Sequence, residues 1–312
     1  MEAGTEQDHG WASGQGRPDA EFFSKPRWFK PYLKVRFATG PAAPTRSPEA
    51  ELNNPIGVVS CQFLHSGPDE VVQLTCSAGL AAIEWFEAEE TSISEPDVAA
   101  RIVAMTRQRG LCNSYHAPWL GRWDLGRHDS PGAAQKTLRD MLDRAGRLKA
   151  ALMTLHLGSF PPGTDRRAAL GKIVAALAAA ALVAEDKGIT ICLENFIGGY
   201  GPTDLGTTVD DLDMVLGQVQ SPAVGLNLDV GHAHITGNMD ELLARFGRRL
   251  YNTHLHDNDR STDAHLAPGQ GTVDWTAVFQ GLSRVGYAGP LNIEFPYVPE
   301  AYEAFIAKIR RA

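Results

Sequence analysis

The sequence predicts a single (β/α)8 barrel preceded by an irregular N-terminal extension, and three observations carry that prediction. From Ile56 onward, short apolar and β-branched runs alternate with helical stretches. The runs are near-continuously apolar, as expected of a parallel sheet covered by helices on both faces. Eight such strand–helix units fill residues 55–312, close to the roughly 250 residues of one barrel.

Residues 1–54 differ in kind. They are rich in Gly, Pro, Ser and charge and show no sustained period of 2 or 3.6. Within them SKPRWFKPYLKVRF (Ser24 to Phe37) carries five basic side chains, four aromatics and no acid. That mixture suits single-stranded nucleic acid, but its two prolines interrupt any regular platform, so the expectation is an irregular or loosely attached extension. The barrel is expected to follow in order: IGVVSCQF (56–63), AAIEWF (81–86), LCNSYHAPW (111–119), LMTLHLGSF (152–160), ITICLENF (189–196), VGLNLDVGH (224–232), YNTHLHD (251–257) and LNIEF (291–295). Between them lie helical segments such as DVAARIVAMTRQRG and AALGKIVAALAAAALVAEDKG, the second ending at the stop signal Gly188.

Composition narrows the class. Of 312 residues, 43% are hydrophobic and 21% charged, which excludes a disordered, collagenous or coiled-coil chain. The net charge of −8 and pI near 5.7 give no general electrostatic reason to expect nucleic acid, although a local basic groove can sit inside an acidic total. Cys61, Cys76, Cys112 and Cys192 stand far apart without CxxC spacing and read as buried free thiols of a reducing compartment. No N-terminal stretch has the apolar core of a signal peptide. The most apolar run, Ile173 to Ala184, has 12 residues, short of the roughly 20 that span a bilayer. The expected location is the cytoplasm, with no membrane partner; the oligomeric state stays open, a homo-oligomer included.

In a (β/α)8 barrel function gathers at the C-terminal ends of the strands, and there the apolar runs are broken by polar residues. His116 and His156 end strands three and four, Glu194 ends strand five, and Asp229 ends strand six with His232 just beyond. His254 and His256 end strand seven, Asp263 and His265 follow it, and Glu294 ends strand eight. A single strand histidine is ordinarily a core residue with a satisfied partner. Three carboxylates buried without a cation would cost several kcal/mol each, and no Lys or Arg lies within these runs. A divalent metal would supply the charge. Period-2 alternation puts His254 and His256 on one face and aims Cys192 and Glu194 together into the barrel.

With LEN at Leu193–Asn195, DVGH at Asp229–His232, HLHDNDR at His254–Arg260, DAHLAPGQGTVDW at Asp263–Trp275 and IEFP at Ile293–Pro296, the chain resembles the xylose isomerase-like TIM-barrel superfamily. That group holds sugar and sugar-phosphate isomerases and epimerases, inosose-processing enzymes and endonuclease IV. The resemblance runs from Ile56 to the C-terminus. Carried over from the epimerases, it implies a metal held by Glu194, Asp229, His254 and Glu294, with His232 and Arg260 at the substrate; His256 and Trp119 are expected beside them. Carried over from endonuclease IV, it implies additional zinc ligands at His116, His156, His232, Asp263 and His265.

Two functions follow as expectations. The first is a divalent-metal-dependent sugar, sugar-phosphate or inositol-type isomerase or epimerase using Mn, Co or Mg. In it Glu194 and Glu294 move a proton beside a carbonyl, and Trp119, Trp123 and Tyr200 wall off water. The second is an endonuclease IV-like phosphodiesterase with a multinuclear zinc site, the one reading in which DNA is a partner. HAPW at His116–Trp119 and the lack of a dense Lys/Arg cluster in the strand-end loops favour the first. A non-catalytic binding module and a multinuclear oxidase or hydrolase rank below both.

Overall fold

The computed structural model of the chain describes residues 52–63, 66–87, 93–198 and 203–312. The extension up to residue 51, the basic-aromatic segment Ser24–Phe37 and Tyr200 lie outside these residues. Eight parallel strands close in sequence order into a barrel: β1 Ile56–Val59, β2 Ala82–Phe86, β3 Cys112–His116, β4 Leu152–Leu155, β5 Thr190–Glu194, β6 Val224–Asp229, β7 Leu250–Leu255 and β8 Leu291–Ile293. Each expected run contains one of these strands, except that β7 begins one residue before its run, at Leu250. The helices are α1 Pro68–Ser77, α2 Pro96–Gln108, α3 Pro131–Arg147, α4 Arg166–Lys187, α5 Val209–Gln218, α6 Val230–Thr236, α7 Met239–Phe246, α8 Trp275–Arg284 and α9 Pro299–Arg310.

Local chemistry explains where the helices begin. Proline in the first turn of α1, α2, α3 and α9 costs no hydrogen bond, because that N–H has no helical partner. Side-chain caps open others: Ser130 accepts from Ala133 N at 3.3 Å, Asp165 from Ala168 N at 2.9 Å and Asp274 from Ala277 N at 3.0 Å. Gly188 ends α4 in the left-handed conformation, φ 64°, the stop that the sequence indicated.

At 22 residues α4 is longer than the apolar run inside it, and by length and composition alone it is long enough to cross a membrane. Here it is a barrel helix. It buries Ala169, Leu170, Ile173, Ala176, Leu177, Ala180, Ala181 and Ala184 and packs beside α3 and α5. The core reaches upstream of residue 55: Leu52 is buried, and Asn54 Nδ2 donates to the carbonyls of Tyr287 and Gly289 at 3.3 and 2.7 Å. The cysteines are all free, but burial is not general as the sequence suggested. Cys192 alone is buried, Cys61 and Cys112 are intermediate, and Cys76 is exposed, because it falls on the solvent side of α1.

Strand register sets the level of the site. Asp229 on β6 pairs with His254 on β7, which pairs with Asn292 on β8. Below that level the barrel interior is polar rather than the usual apolar stack. Glu84, Thr154, Asn252 and Asn292 are all fully buried there. Asn252 Nδ2 donates to Glu84 Oε2 at 2.7 Å and to Thr154 Oγ1 at 3.0 Å, and Asn292 Nδ2 donates to Asn252 Oδ1 at 2.9 Å. Gly57 on β1 leaves room for this layer, since a Cβ there would lie 2.2 Å from Asn292 Oδ1.

Candidate metal centre

The polar residues that interrupt the strands converge at the C-terminal mouth of the barrel. Glu194 and Asp229 end β5 and β6, His116 ends β3, and His254 is the penultimate residue of β7. His156, His256 and Glu294 come one residue after β4, β7 and β8. His232 sits in the first turn of α6, where Asp229 caps the helix by accepting from His232 N at 2.6 Å. Asn195 locks the ends of β5 and β6 together, accepting from Asp229 N at 2.9 Å and donating to Asp229 O at 3.0 Å.

Three groups of donors result. In the central one, His254 Nδ1 lies 3.5 Å from Glu194 Oε1, 3.8 Å from Asp229 Oδ2 and 3.0 Å from Glu294 Oε2. In the second, Glu194 Oε2 lies 3.6 Å from His116 Nε2 and 3.5 Å from His156 Nε2. In the third, Asp263 Oδ2 lies 3.3 Å from His232 Nε2 and 3.2 Å from His265 Nε2. Glu194 joins the first two groups, with one oxygen in each.

These groups fit divalent metal. Glu194 Oε2 is buried yet has no hydrogen-bond partner among the described residues, and its imidazole neighbours stand beyond ordinary hydrogen-bond range. Ligands at ~2.1 Å from one ion stand roughly 3.0–3.4 Å apart in octahedral or tetrahedral geometry, near the spacings seen. The imidazoles are also oriented as ligands are. Nδ1 of His116 donates to Ala117 O at 3.1 Å, that of His232 to Asn195 O at 2.9 Å and that of His265 to Glu294 O at 2.6 Å. A carbonyl only accepts, so each bond commits Nδ1 as donor and leaves Nε2 facing the carboxylates. His254 is turned the other way: Nε2 meets Glu84 Oε1 at 2.9 Å, and Nδ1 faces the carboxylates, with the Asn227 amide 3.2 Å away.

Acids and histidines shift one another's protonation here. Burial opposes charge on Glu194, but His156 and His254 hold it well below the usual carboxylate range. Burial likewise opposes charge on Asp229, which His232 and His256 bring to about 2. Against the same burial, Asp229 and Asp263 push His232 up to about 10, and Asp263 and Glu294 push His265 up to about 9. His156 falls to about 3, because Glu194 only partly offsets its burial.

A cavity of about 230 Å³ opens onto His116, His156, Glu194, His232, Asp263, His265 and Glu294, and Cys61, Gln62, Phe86, Trp119 and Phe196 complete its walls. A second cavity of about 270 Å³ shares Trp119, His156 and Phe196 with the first and reaches Asp124, Arg127 and Ser159. Trp119 therefore stands between them, stacked on His156 at 4.6 Å between ring centroids.

Three expected site residues stand apart from these two cavities. His256 is fully buried, bonded to Asp229 through Nε2 at 3.0 Å and stacked on His265 at 4.0 Å, so it braces the cluster and lines neither cavity. Gly231 permits this, since a Cβ there would lie 1.9 Å from the His256 ring. Arg260 is exposed, in a left-handed turn at φ 73°, and also lines neither cavity. Trp123 is buried between Arg122 and Arg144, 4.4 and 4.7 Å from its ring, and is no cavity wall. Sequence reasoning missed Glu84, whose signal was a lone acid inside the apolar run AAIEWF, and Cys61, Phe86 and Phe196, which carried none.

A sequence model of the family described as "Xylose isomerase-like TIM barrel" matches residues 72–311. The chain belongs to that family. Within the xylose isomerase-like barrels it is 30% identical over 172 residues to the uncharacterized protein MJ1311 of Methanocaldococcus jannaschii, covering 54% of this chain and 58% of that protein. It is 33% identical over 139 residues to the L-ribulose 3-epimerase of Methylomonas sp., covering 44% and 46%. It is 25% identical over 230 residues to the probable endonuclease 4 of Thermoplasma acidophilum, covering 68% and 77%. The chain thus spans less than two thirds of the length of MJ1311 and of the epimerase. Among solved structures, a D-tagatose 3-epimerase-like protein superposes with a TM-score of 0.72 at 23% identity, covering 82% of this chain and 96% of that one. An AP endonuclease of family 2 from Brucella melitensis gives 0.67 at 20% identity, covering 82% and 99%. These two likenesses establish the fold.

Proposed function

We propose that this chain is a divalent-metal-dependent isomerase or epimerase of a sugar, sugar phosphate or inositol-type substrate. The observation that carries this reading is the central cluster: Glu194 and Glu294 both flank His254 Nδ1, at 3.5 and 3.0 Å, on the floor of a small cavity. No Lys or Arg among the described residues lines that cavity, which suits an uncharged polyol better than a phosphodiester backbone. The relatives named as epimerases point the same way.

Glu194, Asp229, His254 and Glu294 would hold the ion. A bound divalent cation supplies Lewis acidity to a chelated hydroxy-ketone and so acidifies the adjacent C–H. Glu194 and Glu294, from strands on either side of Asp229 and His254, act as the base and acid that take and return that proton. Glu194 is kept ionised by its histidines. His232, Asp263 and His265 bind substrate oxygens along one wall, and Trp119 with Phe196 shields the reacting carbon from water.

One observation favours a second reading. All nine donors of a three-metal site are present in three groups, and the group His232, Asp263 and His265 is not required by a single-ion isomerase. A multinuclear zinc phosphodiesterase uses them all. The test is solvent exchange: the chain, loaded with Mn²⁺, Co²⁺ or Mg²⁺, is incubated in D2O with a panel of ketoses, ketose phosphates and inososes. Deuterium entering at the carbon beside the carbonyl supports the isomerase. No exchange on any of them, together with Zn²⁺-dependent cleavage of abasic DNA, replaces it with the second reading.

A further inference from the structure

We propose that Glu84 is a positioning residue of this centre. Its carboxylate fixes His254 in the tautomer that turns Nδ1 toward Glu194, Asp229 and Glu294, and through that ring governs how tightly a divalent ion is held. This rests on the metal-centred reading above and deepens it.

Three of the histidines are oriented by backbone carbonyls, but His254 is oriented by a charged side chain from the opposite part of the barrel. Glu84 comes from β2, fully buried, and divides its two oxygens. Oε1 meets His254 Nε2 at 2.9 Å. Oε2 accepts from Asn252 Nδ2 at 2.7 Å, Asn292 Nδ2 at 3.1 Å and Ser114 Oγ at 3.4 Å. Those donors fix the carboxylate, so it holds the imidazole from behind in one rotation. With Nε2 committed as donor, the lone pair of His254 is left at Nδ1, the atom 3.0–3.8 Å from the three site carboxylates.

The charge is the telling feature. Asn252 and Asn292 are neutral amides buried in the same layer, but both donate to Glu84 Oε2 and Asn292 Oδ1 has no partner among the described residues, so the layer depends on the acceptor that Glu84 supplies. A buried carboxylate without a cation is costly, and among the described residues no Lys or Arg bonds to Glu84. Its charge is balanced through the His254 ring, on whose far side the ion would sit. A carboxylate behind a ligating imidazole raises its basicity, and such outer partners are worth roughly 10–100-fold in metal affinity.

Mn²⁺ binding to wild type, Glu84→Gln and Asn252→Ala, followed by the free-ion electron paramagnetic signal with melting measured in chelator, tests this. We expect Glu84→Gln to weaken Mn²⁺ by about 10–100-fold, while Asn252→Ala, which removes one of the three donors to Glu84 Oε2 but leaves the Oε1–His254 bond in place, weakens it less. Equal affinity in wild type and Glu84→Gln, or equal losses in both variants, overturns the inference and leaves the metal centre standing. A wild-type chain that takes up no divalent ion overturns both. Should Glu84→Gln fail to fold, ¹⁵N-histidine spectra of the Zn²⁺-loaded wild type decide: His254 protonated at Nε2 supports the assignment, and protonation at Nδ1 refutes it.

Discussion

Replacing Glu194 by glutamine tests the centre where its groups converge. Oε1 lies 3.5 Å from both His232 Nδ1 and His254 Nδ1, and Oε2 lies 3.6 and 3.5 Å from His116 Nε2 and His156 Nε2. Glutamine keeps the shape of the side chain but removes the charge and turns one oxygen into an NH2 group, which cannot ligate a metal ion. Groups that merely orient ligands are worth roughly 10–100-fold in metal affinity. Losing a ligand must cost at least the upper figure, about 100-fold or ~2.8 kcal/mol at ~1.4 kcal/mol per tenfold. The barrel itself closes on strand pairing and apolar burial elsewhere, so melting in chelator should stay close to wild type. Equilibrium dialysis against Mn²⁺ and Zn²⁺, with elemental mass spectrometry of the retained protein, measures the loss, and turnover should disappear with it. A Glu194→Gln chain that keeps its full metal complement at unchanged affinity would refute the placement of the ion.

Other consequences follow from the same geometry. His116→Ala should leave metal per chain unchanged if the four-ligand site acts alone and should lower it by one if all three groups are loaded; elemental analysis against wild type reads the difference. Chelator-treated protein should be most stable near about pH 6.5 by denaturant titration, because His156, lowered to about 3, stays neutral in the fold and costs stability as pH falls below 6.5. His232 and His265, raised to about 10 and 9, contribute fully below their unfolded value of 6.5 and lose that contribution as pH climbs through 9–10. Asp229, lowered to about 2, contributes above 3.8 and loses it as pH falls toward 2. Metal loading should move the optimum upward, because ligands must shed protons to bind, and an unmoved optimum would count against the cluster as its site. At the opposite end of the barrel, Arg249 donates to the carbonyls of Leu216, Val219, Ser221 and Val224. Arg249→Ala leaves these without their donor and should cost about 3–5 kcal/mol, seen as a lower urea midpoint without loss of metal.

The barrel was legible because its signals are local and repeated. Each strand is an apolar run, and proline, serine or aspartate marks many of the helix starts. The donor set was legible for a related reason: a carboxylate or imidazole at the end of an apolar run has few structural uses. What stayed hidden depends on distance across the barrel. Glu84 meets His254 across 170 positions of chain, and nothing near either residue announces the other. The walls of the two cavities were the least legible part. Arg260 and His256 looked equivalent to the other loop residues in sequence, but a left-handed turn carries one outward and the absence of a Cβ at Gly231 draws the other into the core.

That division between donors and walls bears on which reaction this barrel performs. The donors are set by strand register and by backbone carbonyls that fix imidazole tautomers, features that closure of the barrel imposes whatever the substrate. Phe86, Trp119, Phe196 and Arg127 have no such obligation; they come from strand ends and connecting loops and shape the two cavities. Trp119, His156 and Phe196 line both cavities, and in the second Arg127 Nε is already engaged by Asp124 at 3.2 Å and Ser159 at 2.9 Å. On the proposed function, we expect the metal groups to set the chemistry and the walls around Trp119 to limit the length of a substrate. Trp119→Ala should accordingly relax substrate length in the D2O exchange assay while leaving Mn²⁺ affinity intact. Loss of the metal instead would make Trp119 a support for His156 rather than a gate.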